Sequence, residues 1–463
     1  MNMSWYINIR MHTRLHSFEL LMVLLLLSAC VSAGAQWSIG VPIDPSQTGA
    51  LFHPRCCADK FGNVHALIMD KRDGVYRTFY TKFDGNSWTA PVSISSGIYD
   101  SDYCDIACDS AGNVHVVFDG HPTKGASYRV YYKTWPAGGY PEIGQTDISG
   151  GSVAAVRPQL AIDSAGNVHC VYYDLNGNGA YYVNNVSGVW STPYLLNSIG
   201  YYPAVAIGPD DACHIVFQER GTGQYNIYYK KRTVTGIWTG RRLTSAPSGV
   251  DYETPAITVD SMGNILVVYR RDDTTPYRLW GHKWMAPSGP WIELPHLGGS
   301  GSMGAWPRID VDRNGLFHIV TQSGSAYDIY YCFGDITTIS RSSLVVDGAS
   351  SQQTPDVACG PTGQVTVIWQ DTAEGRVYYS VTTSFRDFAC IKTLPDGISV
   401  WTAPKPITAA FANFFYISEL SGLSGIRVNS SQTVAEGTLV EVVGTTTTVN
   451  GERCINASRV TPL

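Results

Sequence analysis

The chain has 463 residues, a net charge of −6, 28 tyrosines, 12 tryptophans and 46 glycines. This length accommodates one large domain and a smaller one, and the wealth of aromatic residues and glycines favours many short strands joined by tight turns. Because only 15% of the residues are charged and no basic run occurs, the composition argues against nucleic acid as a partner.

The first 35 residues have the pattern of an export signal. Arg10 and Arg14 precede the apolar run Leu20–Leu27, and the small residues Ala33–Ala35 form a cleavage site. The same region also fits a lipobox ending at Cys30, so a lipoprotein is the alternative form of the exported chain. No later stretch is apolar enough to span a bilayer. We therefore expect a secreted or extracytoplasmic protein without a membrane span.

Export would permit disulfides, but the cysteines are not spaced as a disulfide framework. Cys56, Cys108 and Cys359 stand in strand-like runs where sister segments carry Ile, Val or Ala. We interpret the cysteines as small buried hydrophobic residues. No C-x-x-C pair occurs, so the sequence does not predict a zinc site.

A seven-residue phrase, Asp-x-x-Gly-Asn-Val-His, recurs at Asp59–His65, Asp109–His115 and Asp163–His169, and weaker copies end at His214 and His318. The glycines of all copies, or their equivalents, follow one another at intervals of 50, 54, 45, 52, 52 and 48 residues: Gly62, Gly112, Gly166, Asp211, Gly263, Gly315 and Gly363. A period of this length with several strand-like runs indicates the blades of a propeller.

Each repeat divides into four strands. In the second repeat, the strand Asp105–Asp109 turns into Val114–Phe118, and Tyr128–Lys133 follows with a tyrosine pair. A glycine-containing turn and a tryptophan open the fourth strand, as in Gly85–Pro91. Trp37–Ile43 reads like the fourth strand of another blade, and we predict that it completes the seventh, because closure removes exposed sheet edges.

Residues from Ile391 onward lose the period, and five strand-like runs with a hairpin turn at Val449–Glu452 are typical of a small barrel of OB type. The segment resembles the small OB-like modules appended to exported bacterial repeat proteins, on the motifs Leu394–Gly397, Phe414–Ile417, Ser424–Val428 and Asn450–Arg453. We interpret it as an accessory module. The predicted fold is all-β: a signal peptide at 1–35, a seven-bladed β-propeller at 36–390 and an OB-like β-barrel at 391–463.

The repeats, with their tyrosine pairs and tryptophan-opened last strands, resemble the bacterial sialidase-like superfamily of propellers with Asp-box-like (BNR) repeats. The resemblance covers Trp37–Thr383, and Phe83–Trp88 comes nearest to an Asp-box. It implies a sialidase-like glycoside hydrolase, or another polysaccharide-cleaving enzyme, with three arginines on a substrate carboxylate and a Tyr–Glu pair. Arg55, Arg157 and Arg308 are candidate arginines, with structural or binding roles as the alternative, and no Tyr–Glu pair can be assigned.

The geometry of a propeller predicts where a ligand binds, since the loops before the first strands and those after the second strands meet at the channel mouth. The residues before the first-strand proline, or its equivalent, vary between repeats: His53, Tyr103, Arg157, Tyr202, Thr254, Trp306 and Thr354. Second strands end on the same face with Asp70, Asp119, Asp174, Glu219, Arg270 and Asp371. Such a ring suits stacking on sugars and contacts with hydroxyls and anions, although these residues would also serve to solvate or pack loops.

From this ring we predict a set of ligand-binding residues: His53, Arg55, Tyr103, Arg157, Tyr202, Trp306, Arg308, Asp70, Asp119, Asp174 and Arg270. The expected function is non-catalytic binding of a glycan or a cell-surface protein by a secreted monomer. The glycoside hydrolase is the alternative, and no catalytic residue is assigned.

Two motifs with metal-ligand chemistry have simpler explanations. Five histidines spread over five repeats cannot converge on one metal, so we expect them to bind the repeated turn. Asp174, Asn176 and Asn178 match the start of a calcium loop, but Asn185 stands where a bidentate glutamate is required. We favour an ordinary Asn-Gly turn and expect no cofactor, with calcium as the alternative.

Overall fold

A computed structural model of the protein describes residues 36–462 except for short stretches: 38–39, 45–50, 72–73, 86, 142–143, 152, 178, 222, 274–276, 298–302, 314, 324–326, 338, 340–342, 347–350, 362–363, 384–387, 394–395, 397–398 and 419–423. The predicted signal segment, Cys30 and Asn178 lie outside the described residues. Within the described part, no helix has the length and hydropathy needed to cross a membrane.

Seven antiparallel sheets follow one another along the chain. Sheet I contains β3 (Leu51–Ala58), β4 (Val64–Asp70), β5 (Arg77–Phe83) and β6 (Val92–Ser93). Sheet II contains β7 (Cys104–Cys108), β8 (Val114–Gly120), β9 (Arg129–Trp135) and β10 (Thr146–Asp147). Sheet III contains β11 (Ala155–Ile162), β12 (Val168–Asp174), β13 (Ala180–Asn184) and β14 (Tyr194–Asn197).

The remaining sheets repeat this order. Sheet IV contains β15 (Gly200–Ile207), β16 (Cys213–Arg220), β17 (Tyr225–Arg232) and β18 (Trp238–Arg242). Sheet V contains β19 (Asp251–Val259), β20 (Ile265–Asp272), β21 (Arg278–Trp284) and β22 (Trp291–Leu294). Sheet VI contains β23 (Met303–Val311), β24 (Phe317–Ser323), β25 (Ile329–Gly334) and β26 (Ser343–Val346). Sheet VII contains β27 (Gln352–Cys359), β28 (Val365–Asp371), β29 (Arg376–Thr383), β1 (Gln36–Trp37) and β2 (Val41–Pro42).

The first strands of the seven sheets are the innermost strands, and they contact one another in a closed ring: β3 with β7, β7 with β11, β11 with β15, β15 with β19, β19 with β23, β23 with β27, and β27 with β3. Sheets arranged side by side around an axis in this way form a β-propeller. Sheet VII is made from both ends of the ring, because Val41 lies opposite Tyr379 and Pro42 lies opposite Tyr378. The hydrophobic core fills the spaces between neighbouring sheets.

The repeated histidines hold the turn between the first and second strands. Asp59 accepts the backbone N–H groups of Phe61 and Asn63 at 2.8 and 2.9 Å. The His65 ring bridges this turn to the third strand, with Nε2 at 3.1 Å from Asp59 Oδ2 and Nδ1 at 2.7 Å from the Tyr80 hydroxyl. The same bridge recurs in sheets II and III, which confirms the predicted structural role.

The chain separates into two compact units, and the propeller unit is Trp37–Thr382. The unit that contains Thr383–Leu463 has a short helix, α1 (Phe388–Thr393), and five strands: β30 (Ser399–Ala410), β31 (Phe414–Ser418), β32 (Gly425–Asn429), β33 (Leu439–Val449) and β34 (Glu452–Pro462). These strands close a barrel in the order β30-β31-β32-β34-β33, with its own core. The predicted hairpin is confirmed, since Val449 lies opposite Glu452 and both Asn450 and Gly451 have positive φ.

The buried histidines make the propeller sensitive to acid. Burial lowers the pKa of His214 from 6.5 to about 4, so the unfolded chain binds a proton in this window that the folded chain does not. Stability is therefore lost as the pH falls from 6.5 towards 4, by about 3 kcal/mol for this residue. Urea unfolding of wild type and His214→Gln at pH 7 and pH 4 measures this loss. We expect the free energy of unfolding to fall more in wild type than in the variant when the pH is lowered.

His296→Gln, on an exposed turn, is the matched control for removing a histidine. A difference between wild type and His214→Gln that stays constant across this pH range would contradict the prediction.

Candidate ligand-binding site

Each innermost strand, except that of sheet II, carries a bulge at an X-Pro pair. The pairing with the second strand skips two residues there, and the residue before the proline has a φ between 45° and 52°. These left-handed residues are His53, Arg157, Tyr202, Thr254, Trp306 and Thr354. Proline is tolerated because a bulged position donates no ladder hydrogen bond. A bulge re-aims its side chain, and here it turns six side chains of five types towards the axis.

Side-chain oxygens of the preceding sheet hold four of these six bulges. The backbone N–H of Arg157 donates to Asp119 Oδ2 at 2.9 Å, and the N–H of Tyr103 donates to Oδ1 of the same carboxylate at 2.9 Å. Three glutamines accept in the same way, at 2.8 to 3.0 Å: Gln218 from Thr254, Gln322 from Thr354 and Gln370 from His53. Because the acceptors are buried, an N–H that lost its partner would cost about 1–3 kcal/mol.

The residues before the prolines, together with Tyr103, surround one pocket, here called the ring pocket. Its lining combines these seven with residues one or two positions further along the innermost strands: His53, Arg55, Tyr103, Cys104, Arg157, Pro158, Gln159, Tyr202, Pro203, Thr254, Pro255, Trp306, Pro307, Arg308, Thr354 and Pro355. The pocket is open to solvent, and the cavity volume within it is about 50 Å³. A ligand larger than this would therefore extend out of the mouth of the pocket.

Arg157 lies at the centre of an aromatic cage in the ring pocket. Its Cζ is 3.9 Å from the ring centroid of Tyr103, 4.7 Å from that of Tyr202 and 5.2 Å from that of Trp306. Its Nη2 also donates to the Tyr103 hydroxyl. Among the described residues no carboxylate lies within ion-pair distance of Arg157, and its guanidinium instead contacts three aromatic faces and one hydroxyl.

Charges alternate in a second row, two residues further along the innermost strands. Arg308, Asp356, Arg55 and Asp105 follow one another on sheets VI, VII, I and II, and Arg308 Nε is 4.0 Å from Asp356 Oδ1. Burial raises the pKa of Asp105 to about 6 and lowers that of Arg308 to about 10, while Arg55 favours the ionised form of both carboxylates. These two arginines are therefore balanced by the acids beside them.

His53 carries no charge at neutral pH. Burial lowers its pKa to about 3, and the positive charges of Arg55, Arg157 and Arg308 act in the same direction. Its ring lies 4.5 Å from that of Tyr103. Arg157 has aromatic rings as its nearest neighbours, and Asp102 interacts with it electrostatically from beyond ion-pair distance.

The structure brings seven of the eleven predicted ligand-binding residues into the ring pocket: His53, Arg55, Tyr103, Arg157, Tyr202, Trp306 and Arg308. The other four lie outside its lining. Asp119 supports the bulges from behind, and burial raises its pKa to about 7. Asp174 accepts the N–H of Asn176 in its own turn and the N–H of Ala154, both at 3.1 Å, and an ordinary Asn-Gly turn stays the prediction there, with calcium as the alternative. Asp70 is buried opposite Arg77, and Arg270 pairs with Glu253.

A carboxyl that the sequence did not single out lies next to Tyr103. Asp102 is half-buried, accepts the hydroxyl hydrogen of Tyr128, and has a pKa raised by burial and by Asp100. Burial also raises the pKa of Tyr103 itself. Gln218, Gln322 and Gln370 were missed as well, although they share with Asp119 the sixth position of the second strand. That shared register is the signal that would have found them.

No protein-family model matches the chain, and no curated protein matches its sequence. Among solved structures, the chain is similar to a fungal alcohol oxidase of the AA5 family in complex with copper, at a TM-score of 0.53 and 9% identity over 93% of this chain and 99% of that one. It is also similar to a Hadza microbial sialidase (TM-score 0.45, 11% identity, 70% and 74% covered) and to an α-L-arabinanase of Penicillium chrysogenum (0.44, 16%, 66% and 99%). At these identities the likeness concerns the fold alone.

Backbone strain at the bulges is measurable at Thr254. Its φ of 49° penalises any residue with a Cβ, so Thr254→Gly is expected to be more stable than Thr254→Ala by about 1 kcal/mol. At Thr258, on the regular part of the same strand, alanine should instead be more stable than glycine by roughly 0.5–1 kcal/mol. Chemical denaturation of the four variants provides the measurement, and the same order of stability at both positions would disprove the strain.

Proposed function

We propose that the propeller binds a carboxylate-bearing glycan in the ring pocket without cleaving it. The observation that carries this proposal is Arg157, a guanidinium held between three aromatic rings with no carboxylate within ion-pair distance among the described residues. The guanidinium of Arg157 is partly buried and has no anion in direct contact, so a bound carboxylate would supply a favourable partner. The planar guanidinium fork also matches the two oxygens of a carboxylate.

The other residues of the pocket support a sugar as the carrier of that carboxylate. Tyr103, Tyr202 and Trp306 offer aromatic surface for the apolar face of a pyranose ring. Neutral His53 and the hydroxyl of Thr254 can exchange hydrogen bonds with sugar hydroxyls. The acidic residues of the second row are occupied by Arg55, Arg308 and backbone N–H groups, so they would not repel the ligand strongly.

We also propose the finer architecture and the setting of the protein. The seven sheets of the ring support a seven-bladed propeller, and the five-stranded closed barrel supports an OB-like accessory module. We propose export through the segment 1–35, with lipidation at Cys30 as the alternative, and a monomeric chain that meets glycans or glycosylated cell-surface proteins outside the cytoplasm.

Binding can be tested on glycans that differ in one group. We expect the mature chain to bind oligosaccharides ending in a uronic or sialic acid, and to lose binding when that carboxyl is reduced to the alcohol. Arg157→Gln should weaken binding about 10- to 100-fold, because a charge-assisted hydrogen bond contributes about 1.5–3 kcal/mol. A glycan array followed by calorimetry on the best ligand gives both results.

Arg241→Gln is the matched control, because Arg241 is an exposed arginine on β18 outside the ring pocket. Equal affinity for the acid and its reduced form, or equal losses in the two arginine variants, would refute the proposal.

Cleavage of such a glycan is the second candidate function, and Asp102 is the observation that favours it. A half-buried carboxyl with a raised pKa suits a general acid, and it lies beside Tyr103. Two observations favour binding instead. The raised pKa of Tyr103 keeps it protonated, which disfavours a tyrosinate nucleophile, and Asp102 is not among the lining residues of the ring pocket.

A panel of fluorogenic glycosides distinguishes the two functions, and we expect no release above the buffer rate from the wild-type chain. Turnover that disappears in Asp102→Asn and persists in Asp147→Asn, a surface carboxylate paired with Arg129, would establish the enzyme instead. The glycan that wins on the array should be included as a natural substrate, with products followed by mass spectrometry.

A further inference from the structure

Two cysteines meet between sheets I and II. Cys57 lies near the end of β3 and Cys108 at the end of β7, and their sulfur atoms are 2.9 Å apart. Both thiols are free. A disulfide has a sulfur–sulfur distance of about 2.03–2.05 Å, so a small approach of the two strands would suffice to form the bond.

The repeat brings the same two strand positions together between other neighbouring sheets. The equivalent pairs on the following sheets also pack in common clusters: Ala107 with Ile162, Ala161 with Ile207, and Ala206 with Val259. In those pairs a small residue meets a branched one across neighbouring innermost strands. Cys57 and Cys108 occupy the same two places, so the fold itself holds them together.

The pair is also within reach of reagents. Cys57 and Cys108 are half-buried and border an open cavity of about 370 Å³ that continues from the second row along the innermost strands. By contrast, six other described cysteines are buried: Cys56, Cys104, Cys170, Cys213, Cys332 and Cys454. Cys359 is half-buried as well and borders the same cavity, but among the described cysteines the pair Cys57 and Cys108 combines this access with a sulfur–sulfur contact.

We propose that Cys57 and Cys108 are an oxidation site that closes a disulfide between sheets I and II. The oxidant is a small or protein disulfide. One thiol, as its thiolate, attacks it and displaces one thiol. The second thiolate then attacks the mixed disulfide and displaces the other, so that two electrons and two protons pass to the oxidant. Burial and the neighbouring Cys108 raise the pKa of Cys57, so closure should accelerate as the pH rises.

The bond would tie the two strands that present His53 and Tyr103 to the ring pocket at their other ends. It would also close a long loop, from 57 to 108, in the unfolded chain, which is how a disulfide restricts unfolding. We therefore expect oxidation to raise the thermal midpoint of the propeller. This inference does not depend on the proposed ligand.

The experiment treats the folded full chain with glutathione disulfide after complete reduction, blocks free thiols, and maps peptides without reduction. We expect one linked pair containing Cys57 and Cys108, lighter than the two reduced peptides by two hydrogen atoms, and a thermal midpoint above that of the reduced chain. Cys57→Ala and Cys108→Ile, which install the residues of the sister sheets, should abolish both effects. Cys213→Val, which installs the residue found at this position in sheets I to III, should leave both unchanged.

Free or separately glutathionylated Cys57 and Cys108 in the folded wild-type chain would overturn the proposal, as would a bond from either one to another cysteine. The wild-type peptide map decides this even if a variant fails to fold. A linked pair with an unchanged thermal midpoint would refute the expected tie between the two sheets.

Discussion

The ring depends on side-chain oxygens that accept backbone N–H groups from the next sheet. Each innermost strand is the edge of its own sheet, so one row of its N–H groups has no strand beside it. Asp105 accepts from Leu160, Asp310 from Cys359 and Asp356 from Cys56, each at 2.8 or 2.9 Å. Without such acceptors the buried N–H groups would be costly, and neighbouring sheets would lose their fixed rotation about the axis.

The same device shapes the ring pocket. Asp119 and the three glutamines fix the backbone of four of the residues before the prolines by accepting their main-chain N–H groups, and the Thr354 hydroxyl also donates to Gln370 at 3.0 Å. The side chains at those positions are therefore free to differ. This separation explains how one repeated frame presents a histidine, an arginine, two tyrosines, two threonines and a tryptophan to a single cavity.

Much of this arrangement follows from the period of the sequence. Residues in one register of a closed repeat reach the same height in the ring, which is why the positions before the prolines meet. The second strands show the limit: Asp119 stands at the sixth position, whereas Asp70 and Asp174 stand at the seventh, and one step along a strand reverses the side chain. Selecting the last polar residue of each second strand as a ligand contact therefore combined side chains from opposite faces of the sheets.

Contacts between sheets were harder to predict than contacts within them. Arg55 and Arg308 follow their prolines whereas Arg157 precedes its own, so a linear alignment separates three arginines that the bulges bring to one pocket. The pairing of Cys57 with Cys108 depends on how closely two innermost strands approach, and no spacing in a single repeat encodes that distance. The charge of Arg157 points to an anionic ligand only once the structure shows that its neighbours are aromatic rings.

The X-Pro bulge also has a consequence for the evolution of such a protein. At Thr254, for example, a main-chain contact holds the left-handed residue, and the proline after it occupies a position that needs no donor. The side chain before the proline can therefore be substituted while the backbone stays the same. Six such positions face one cavity, so substitutions there would change the chemistry of the cavity without changing the fold, and duplication of a repeat would add one more such position with each new sheet.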